Sequence, residues 1–312
     1  MSALETALQL IETRNVQRID FKVSDLFGRW HNFAIPADRF DKALSEEGHS
    51  IDGSSIPGFQ PIHESDLLLI PDLDSATLDP VPNTPTLSLL CNALDPITRE
   101  PLSRDPRYIA SKAEEHLRKS GTADEALFGP EIQFFIFDDA RYQQETNTAF
   151  YFVDSAEGHW NVGRDEEPNQ GYKIAHRSGY AVPPPADRLS HIRWSIVEQL
   201  RSVGIEVKFE RHSAGSSGQG EIGIQHATLL KMGDHVQWYK YLVRNAAHAH
   251  GMAATFMPKP IHGDSGSGMH THQSLWRRGT ALFYDSNGYG GLSQLARNYI
   301  GGLLHHASAL LA

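Results

Sequence analysis

The sequence has few of the features that mark secreted, membrane-spanning or nucleic-acid-binding proteins. Cys91 is the single cysteine, which excludes an intrachain disulfide and favours a reducing compartment, so we expect a cytoplasmic protein. No run of about 18 apolar residues occurs, and residues 1–15 resemble an amphipathic helix with acidic groups rather than a signal peptide. A net charge of -10 without a basic cluster argues against nucleic acid and membranes as partners.

What is present is an ordinary globular composition, with 312 residues of which 40% are hydrophobic and 21% charged. This length predicts about two domains. We place the boundary after a proline-rich segment, giving domains of residues 1–104 and 105–312. Asp105 and Pro106 are a helix N-cap and first helical residue. Strands and helices mix without regular βαβ alternation, which predicts the α+β class.

Periodicity predicts several elements along the chain. Alternation at residues 19–23 predicts a half-buried strand, and the apolar run at 128–137 predicts a buried one. Residues 48–61, rich in Gly, Ser and Pro, are expected to form a loop. Two further helices are expected at 187–203 and 234–250.

Glu131 is the first candidate functional residue, because it lies in the apolar strand at residues 128–137. A carboxylate in such a run costs several kcal/mol unless it is paired or binds a metal. Two interpretations remain equally open, namely a ligand of Mg²⁺ or Mn²⁺ and a buried acid paired with Arg or Lys. Gln133 shares its strand face and offers a neutral carbonyl oxygen.

Three other segments carry candidate groups. Glu221 follows glycines at 218 and 220, where a turn with a solvated acid is favoured over a ligand loop. His270 and His272 follow a Gly-Ser loop and share a strand face, and the loop's N–H groups could also wrap an anion. Asp52 begins a Gly-Ser-Ser turn, for which a self-contained Asx-turn is the simpler interpretation.

In order and spacing these motifs resemble bacterial glutamine synthetase. Further similar segments are residues 18–36, 67–72, 180–185 and 255–260. The resemblance implies a β-grasp N-terminal domain and a catalytic domain, incomplete here, with an antiparallel sheet and helices. It implies a homo-oligomer of two stacked hexameric rings, a dodecamer, with active sites between neighbours. It also implies ligation of ammonium to glutamate through γ-glutamyl phosphate, with ATP as a substrate and Mg²⁺ or Mn²⁺ as cofactors.

The resemblance also assigns roles to single residues. Asp52 matches the acid that deprotonates ammonium, and Ser55 and Tyr180 match residues lining the ammonium pocket. Glu131 and His270 match ligands of the metal that serves phosphate transfer, and Glu221 matches a ligand of the other metal. Gly266 matches a backbone contact to glutamate, and His272 and Ser274 match nucleotide-side residues.

The sequence departs from the family pattern at several of these sites. Gln133 and Ser213 stand where the family has glutamates that bind the same metal as Glu221. His226 replaces an aromatic residue that contacts adenine, and Ser265 replaces an asparagine. We also expect the chain to lack the family's C-terminal segment, with its arginines, flap glutamate and third phosphate-side metal ligand.

These departures predict impaired glutamine formation and leave two alternatives open. One is a non-catalytic scaffold or regulatory subunit. The other is a ligase for a different amine, for which Ser213 would leave room.

Overall fold

A computed structural model describes residues 1–161 and 169–311. The first part of the chain forms a mixed sheet with the strand order β2-β1-β5-β4-β3, in which β1 runs parallel to β5 and antiparallel to β2. Its helices and strands are α1 (Ala3–Thr13), β1 (Arg18–Ser24), β2 (Trp30–Pro36), α2 (Lys42–Glu47), β3 (His49–Asp52), β4 (Asp66–Leu78) and β5 (Thr86–Leu94). The arrangement agrees with the predicted β-grasp domain.

Two predictions for this domain need correction. β1 is buried on both faces rather than half-buried, because Lys22 forms a salt bridge with Asp79 at 3.3 Å and lies over the rings of Trp30 and Tyr241. The expected loop at residues 48–61 contains β3, which pairs with β4. A buried charge is compatible with a two-sided core when it is paired in this way.

The second part of the chain is built on an antiparallel sheet with the order β14-β13-β6-β10-β9, to which β11 and β12 add further pairs with β6. Its elements are α3 (Pro106–Lys119), β6 (Glu125–Phe137), β7 (Asp139–Gln144), β8 (Ala149–Asp154), α4 (Ser190–Ser202), β9 (Val207–His212), β10 (Gln219–Ile224), β11 (Ala227–Thr228), α5 (Leu229–Ala249), β12 (Ala253–Thr255), β13 (Met269–Arg277), β14 (Thr280–Ala281), α6 (Gln294–His305) and α7 (Ala307–Leu310). The α+β prediction is therefore confirmed. Among the described residues, no helix combines the length and apolarity needed to cross a bilayer.

Helices α4 and α5 cover one face of this sheet. Ile132, Phe134 and Ile136 of β6 join the core that these helices form. Because alternate side chains of a strand point to opposite faces, Glu131 and Gln133 lie on the other face. The helices thus cover the apolar face of β6, and the face that carries Glu131 and Gln133 is available for a functional site.

Both helices begin elsewhere than predicted. α4 begins at Ser190, since Asp187 instead forms an ion pair with the buried Arg193, with Nη2 and Oδ2 2.5 Å apart. α5 begins at Leu229, several residues before Asp234. The β7–β8 hairpin, whose Tyr142 and Tyr151 are exposed, was not predicted.

Arg107 joins the two parts of the chain. Its guanidinium donates to Asp72 of β4 at 2.7 Å, to Asn92 of β5 at 2.8 Å and to Asp234 of α5 at 2.9 Å. The residue is 7% exposed. Asp105 caps the same helix, as predicted, by accepting from the Arg107 N–H. The domain boundary at 104/105 remains a prediction, and Arg107 provides a polar contact across it.

We predict that Arg107→Met destabilises the chain by about 3 kcal/mol, because it leaves Asp72 and Asp234 without their cation. Denaturant unfolding measures the change. Arg118→Met on the exposed side of the same helix is the matched control and should alter stability by less than about 0.5 kcal/mol. Equal effects from both substitutions would show that the junction does not depend on this ion pair.

Candidate active site

The sheet register brings polar residues from four strands together on one face, in two neighbouring cross-strand lines that we call the row. Glu131 of β6 lies opposite His270 of β13, and Gln133 of β6 lies opposite Glu221 of β10. Glu221 in turn lies opposite Arg211 of β9. Residues directly opposite on antiparallel strands have Cβ atoms about 4.5–5.5 Å apart. The strands therefore assemble three predicted residues, Glu131, His270 and Glu221, together with Arg211, which was not predicted.

Glu131 forms the contact most relevant to metal binding on the β13 side. Its carboxylate Oε1 lies 3.1 Å from His272 Nε2, and Glu131 is about one-third exposed. His270, although opposite in register, turns its ring towards Gly268, where a Cβ would lie 2.7 Å from His270 Nε2. Within residues 1–161 and 169–311, no cluster of three or more His, Cys, Asp or Glu groups could hold a metal. The described residues thus supply a partial ligand set of one carboxylate and nearby imidazoles.

Glu221 occupies a different environment from the one predicted. It lies within β10 and is 2% exposed, so the expectation of a turn with a solvated acid was wrong. Arg211 Nη2 donates to Oε1 at 2.8 Å, and Arg211 Nε donates to Oε2 at 3.3 Å. Gln133 Nε2 at 3.2 Å and Ser213 Oγ at 3.3 Å also donate to Oε2. Burial is tolerated because the carboxylate is paired with a guanidinium and two neutral donors.

The Arg211 guanidinium lies close to two aromatic rings. Its guanidinium carbon lies 4.6 Å from the centroid of Phe209 and 5.0 Å from that of Tyr180. Phe209 lies opposite Gly223, where a Cβ would approach the ring to 2.4 Å. The glycine therefore leaves space for the ring that packs on Arg211. Tyr180, predicted for the ammonium pocket, here contacts this cation.

The loop before β13 uses its N–H groups within the protein. Gly268 N donates to Gln133 Oε1 at 2.8 Å, and Ser267 N donates to the Pro258 carbonyl at 2.8 Å. Ser265 N donates to Asp264, and the Gly266 carbonyl accepts from Gln219 Nε2 at 2.8 Å. The alternative in which these N–H donors wrap an anion is therefore not supported.

Asp52 and Ser55 form a self-contained turn, as the simpler interpretation predicted. The Ser54 and Ser55 hydroxyls each donate to the Asp52 carboxylate at 2.6 Å. These hydrogen bonds lower the pKa of Asp52. In the described parts of the chain, no hydrogen bond or ion pair joins this turn to the row containing Glu131 and Glu221.

A cleft of about 220 Å³ lies beside Glu131. His272 and Ser274, the predicted nucleotide-side residues, line it together with His226 and Phe209. Ser274 Oγ accepts from Trp276 Nε1 at 2.9 Å, which fixes the position of that hydroxyl. The cleft is therefore lined by the two residues that the resemblance matches to nucleotide-side positions.

The buried pair of Glu157 and His212 supports the end of β9, which carries Arg211 and is followed by Ser213. His212 Nε2 lies 3.2 Å from Glu157 Oε2, and the same carboxylate accepts from Gly218 N at 2.8 Å. Burial disfavours the charged imidazole, but the hydrogen bond and negative charge of Glu157 outweigh it and raise the pKa of His212. Sequence alone offered no signal that these distant residues meet.

A β-grasp domain followed by an antiparallel sheet that carries carboxylates, imidazoles and amides on one face defines a two-domain α+β fold. The family model for the glutamine synthetase catalytic domain matches residues 103–312, and that for its β-grasp domain matches residues 15–96. The chain belongs to the glutamine synthetase family. The predicted family and fold are therefore confirmed.

Individual relatives agree with this family assignment. The chain is 49% identical to a glutamine synthetase of Frankia alni over 309 residues and 46% identical to one of Mycobacterium tuberculosis over 312 residues. Each match covers 99% of this chain and 65% of the relative, so the chain spans less than two thirds of their length. A solved Plasmodium falciparum glutamine synthetase matches with a TM-score of 0.90 at 25% identity, covering 99% of this chain and 61% of that one.

We predict that His212 makes stability depend on pH. Because its folded pKa is raised, its contribution is fully present below the unfolded value of about 6.5 and is lost as pH rises through the folded value. The stability difference between the native chain and His212→Gln should therefore shrink as the pH rises above about 6.5.

Denaturant unfolding at each pH measures this difference. His63→Gln is the matched control, because that side chain is 74% exposed. Parallel pH profiles for the native chain and His212→Gln would rule out a titrating His212.

Proposed function

We propose that this chain has the ancestry of a glutamate–ammonia ligase and forms little or no glutamine. One observation carries the proposal. The Glu221 carboxylate, which the resemblance matches to a metal ligand, accepts hydrogen bonds from Arg211, Gln133 and Ser213 instead. Phosphoryl transfer depends on positioning and on charge stabilisation by metals and cationic side chains. A site that has lost one metal retains only part of that stabilisation.

The side of the site near β13 keeps features suited to a metal-bound nucleotide. Glu131 with His270 or His272 would hold Mg²⁺ or Mn²⁺, and Ser274 and His272 face the adjoining cleft. When bound, the metal would neutralise charge on the phosphates. We infer that nucleotide binding is retained better than ligation.

The ammonium side is assigned by resemblance to Asp52, Ser55 and Tyr180. In the structure the Ser55 hydroxyl donates a hydrogen bond to the Asp52 carboxylate, and Tyr180 contacts Arg211. We propose that a neighbouring copy supplies Asp52 and Ser55 to this site in a ring-shaped homo-oligomer. Glutamate would lie between the part of the site that this chain provides and the part that the neighbouring copy supplies. The backbone of Gly266 would contact it.

A non-catalytic subunit is the second candidate function. It is favoured by the same ion pair, because a carboxylate neutralised by a guanidinium needs no metal to keep the sheet stable. Such a chain would join rings without turnover.

We predict that the purified chain releases little ADP with glutamate and ammonium. Losing one charge stabiliser typically lowers the rate by about 10² to 10³. A coupled assay for ADP and glutamine measures this, with a primary alkylamine in place of ammonium as a second arm. Glutamate-dependent turnover with ammonium at rates usual for ligases would contradict the proposal, and turnover with the alkylamine alone would favour a ligase for another amine.

We also predict that Glu131→Gln weakens Mn²⁺ binding by at least about tenfold, because it removes the carboxylate of the partial ligand set. Titration with Mn²⁺, followed by the signal of the free ion, measures the affinity. Glu125→Gln on the same strand is the control, since Glu125 is exposed and lies outside the row. Unchanged binding in Glu131→Gln would exclude this residue as a ligand.

A further inference from the structure

The Glu221 carboxylate accepts four hydrogen bonds in the described structure, three on Oε2 and one on Oε1. An ionised carboxylate offers about four lone-pair sites. Arg211 contributes two donors, and Gln133 and Ser213 contribute one each, so four hydrogen bonds reach the two oxygens. A divalent ion that approached either oxygen to about 2.0–2.6 Å would lie beside the Arg211 guanidinium, whose N–H groups contact both oxygens.

The guanidinium is the donor hardest to displace. Arg211 lies opposite Glu221 in the sheet register, and its guanidinium lies over the rings of Phe209 and Tyr180. Its side chain is 31% exposed while that of Glu221 is 2% exposed, so moving it away would leave a buried, unpaired carboxylate. Guanidinium groups stay charged at every ordinary pH, which keeps this cation in place.

We propose that Arg211 is the resident cation beside Glu221, and that the part of the site formed by Glu221, Gln133 and Ser213 binds no divalent metal. The inference deepens the proposed function, on which it rests for the assignment of this row as the metal-bearing part of the fold. Glu221 and Arg211 together carry no net charge, and Gln133 and Ser213 are neutral. The four residues therefore form a balanced set without a metal.

The charge balance has a consequence for attempts to restore the metal. Glutamates at positions 133 and 213 would add two negative charges beside a guanidinium that binds carboxylates in bidentate fashion. Arg211 would then compete with the ion for each new ligand. Restoring a metal site thus requires removal of the guanidinium as well as addition of the carboxylates.

The test uses Mn²⁺ alone as the probe, in the full chain carrying Glu131→Gln so that binding near His272 does not interfere. Four versions are titrated, namely this background, the background with Q133E/S213E, with R211Q, and with all three changes. We expect no detectable site in the background and at least about tenfold tighter binding in the version with all three changes than in the one with Q133E/S213E. Arg14→Gln, an exposed arginine beyond α1, serves as the control for loss of one positive charge.

Two results would overturn the inference. One is Mn²⁺ binding to the background chain that Glu221→Gln abolishes. The other is equal affinity in Q133E/S213E chains with and without Arg211. Because the readout is metal binding, failure here is distinguishable from failure of the proposed function, which is read from ADP release.

Thermal unfolding of R211Q, E221Q and the double variant covers the case in which R211Q alone does not fold. The double variant should be more stable than R211Q, since it leaves no buried charge unpaired. Additive effects of the two substitutions would show that Arg211 and Glu221 are not coupled, and would overturn the inference.

Discussion

The antiparallel register of β6 against its two neighbours determines what the site contains. Pairing with β13 sets Glu131 opposite His270, and pairing with β10 sets Gln133 opposite Glu221. A shift of one residue would turn each of these side chains to the other face. The packing of Ile132 and Phe134 against α4 and α5 prevents that shift, so the apolar core specifies the polar row.

The row has two halves, one around Glu131 and the other around Glu221, and they differ in their source of positive charge. The half near β13 presents a partly exposed carboxylate with imidazoles beside it, which suits a hard divalent ion. The other half presents a buried carboxylate already bound to a guanidinium. The difference arises from three single positions, since Arg211 on β9, Ser213 just after β9 and Gln133 on β6 all donate to Glu221.

The sequence allowed the family and the fold class to be predicted, and it singled out Glu131, His270 and Glu221 but not Arg211. It also allowed the Asp52 turn to be predicted, because an Asx-turn depends on neighbouring residues only. The environment of Glu221 was predicted wrongly, since glycines at 218 and 220 indicate a turn as readily as a closely packed strand. Gly220 in fact lies against Arg193 and Phe134, where a Cβ would approach to 2.7 Å and 2.9 Å.

The role of Arg211 could have been found only by pairing β9 with β10 in the correct register. Residues 207–212 and 219–224 form a hairpin in which Arg211 and Glu221 are cross-strand partners. The pair of Glu157 and His212 lies beyond such local pairing, because 55 residues separate the two groups. Long-range contacts of this kind depend on the whole fold.

The most direct measurement is a crystal of the chain soaked in Mn²⁺, with anomalous scattering used to locate the ion. The predicted result is density beside Glu131, with the Arg211 guanidinium still bound to Glu221. An anomalous peak within coordination distance of the Glu221 carboxylate, about 2.0–2.6 Å, with Arg211 displaced, would contradict a resident guanidinium.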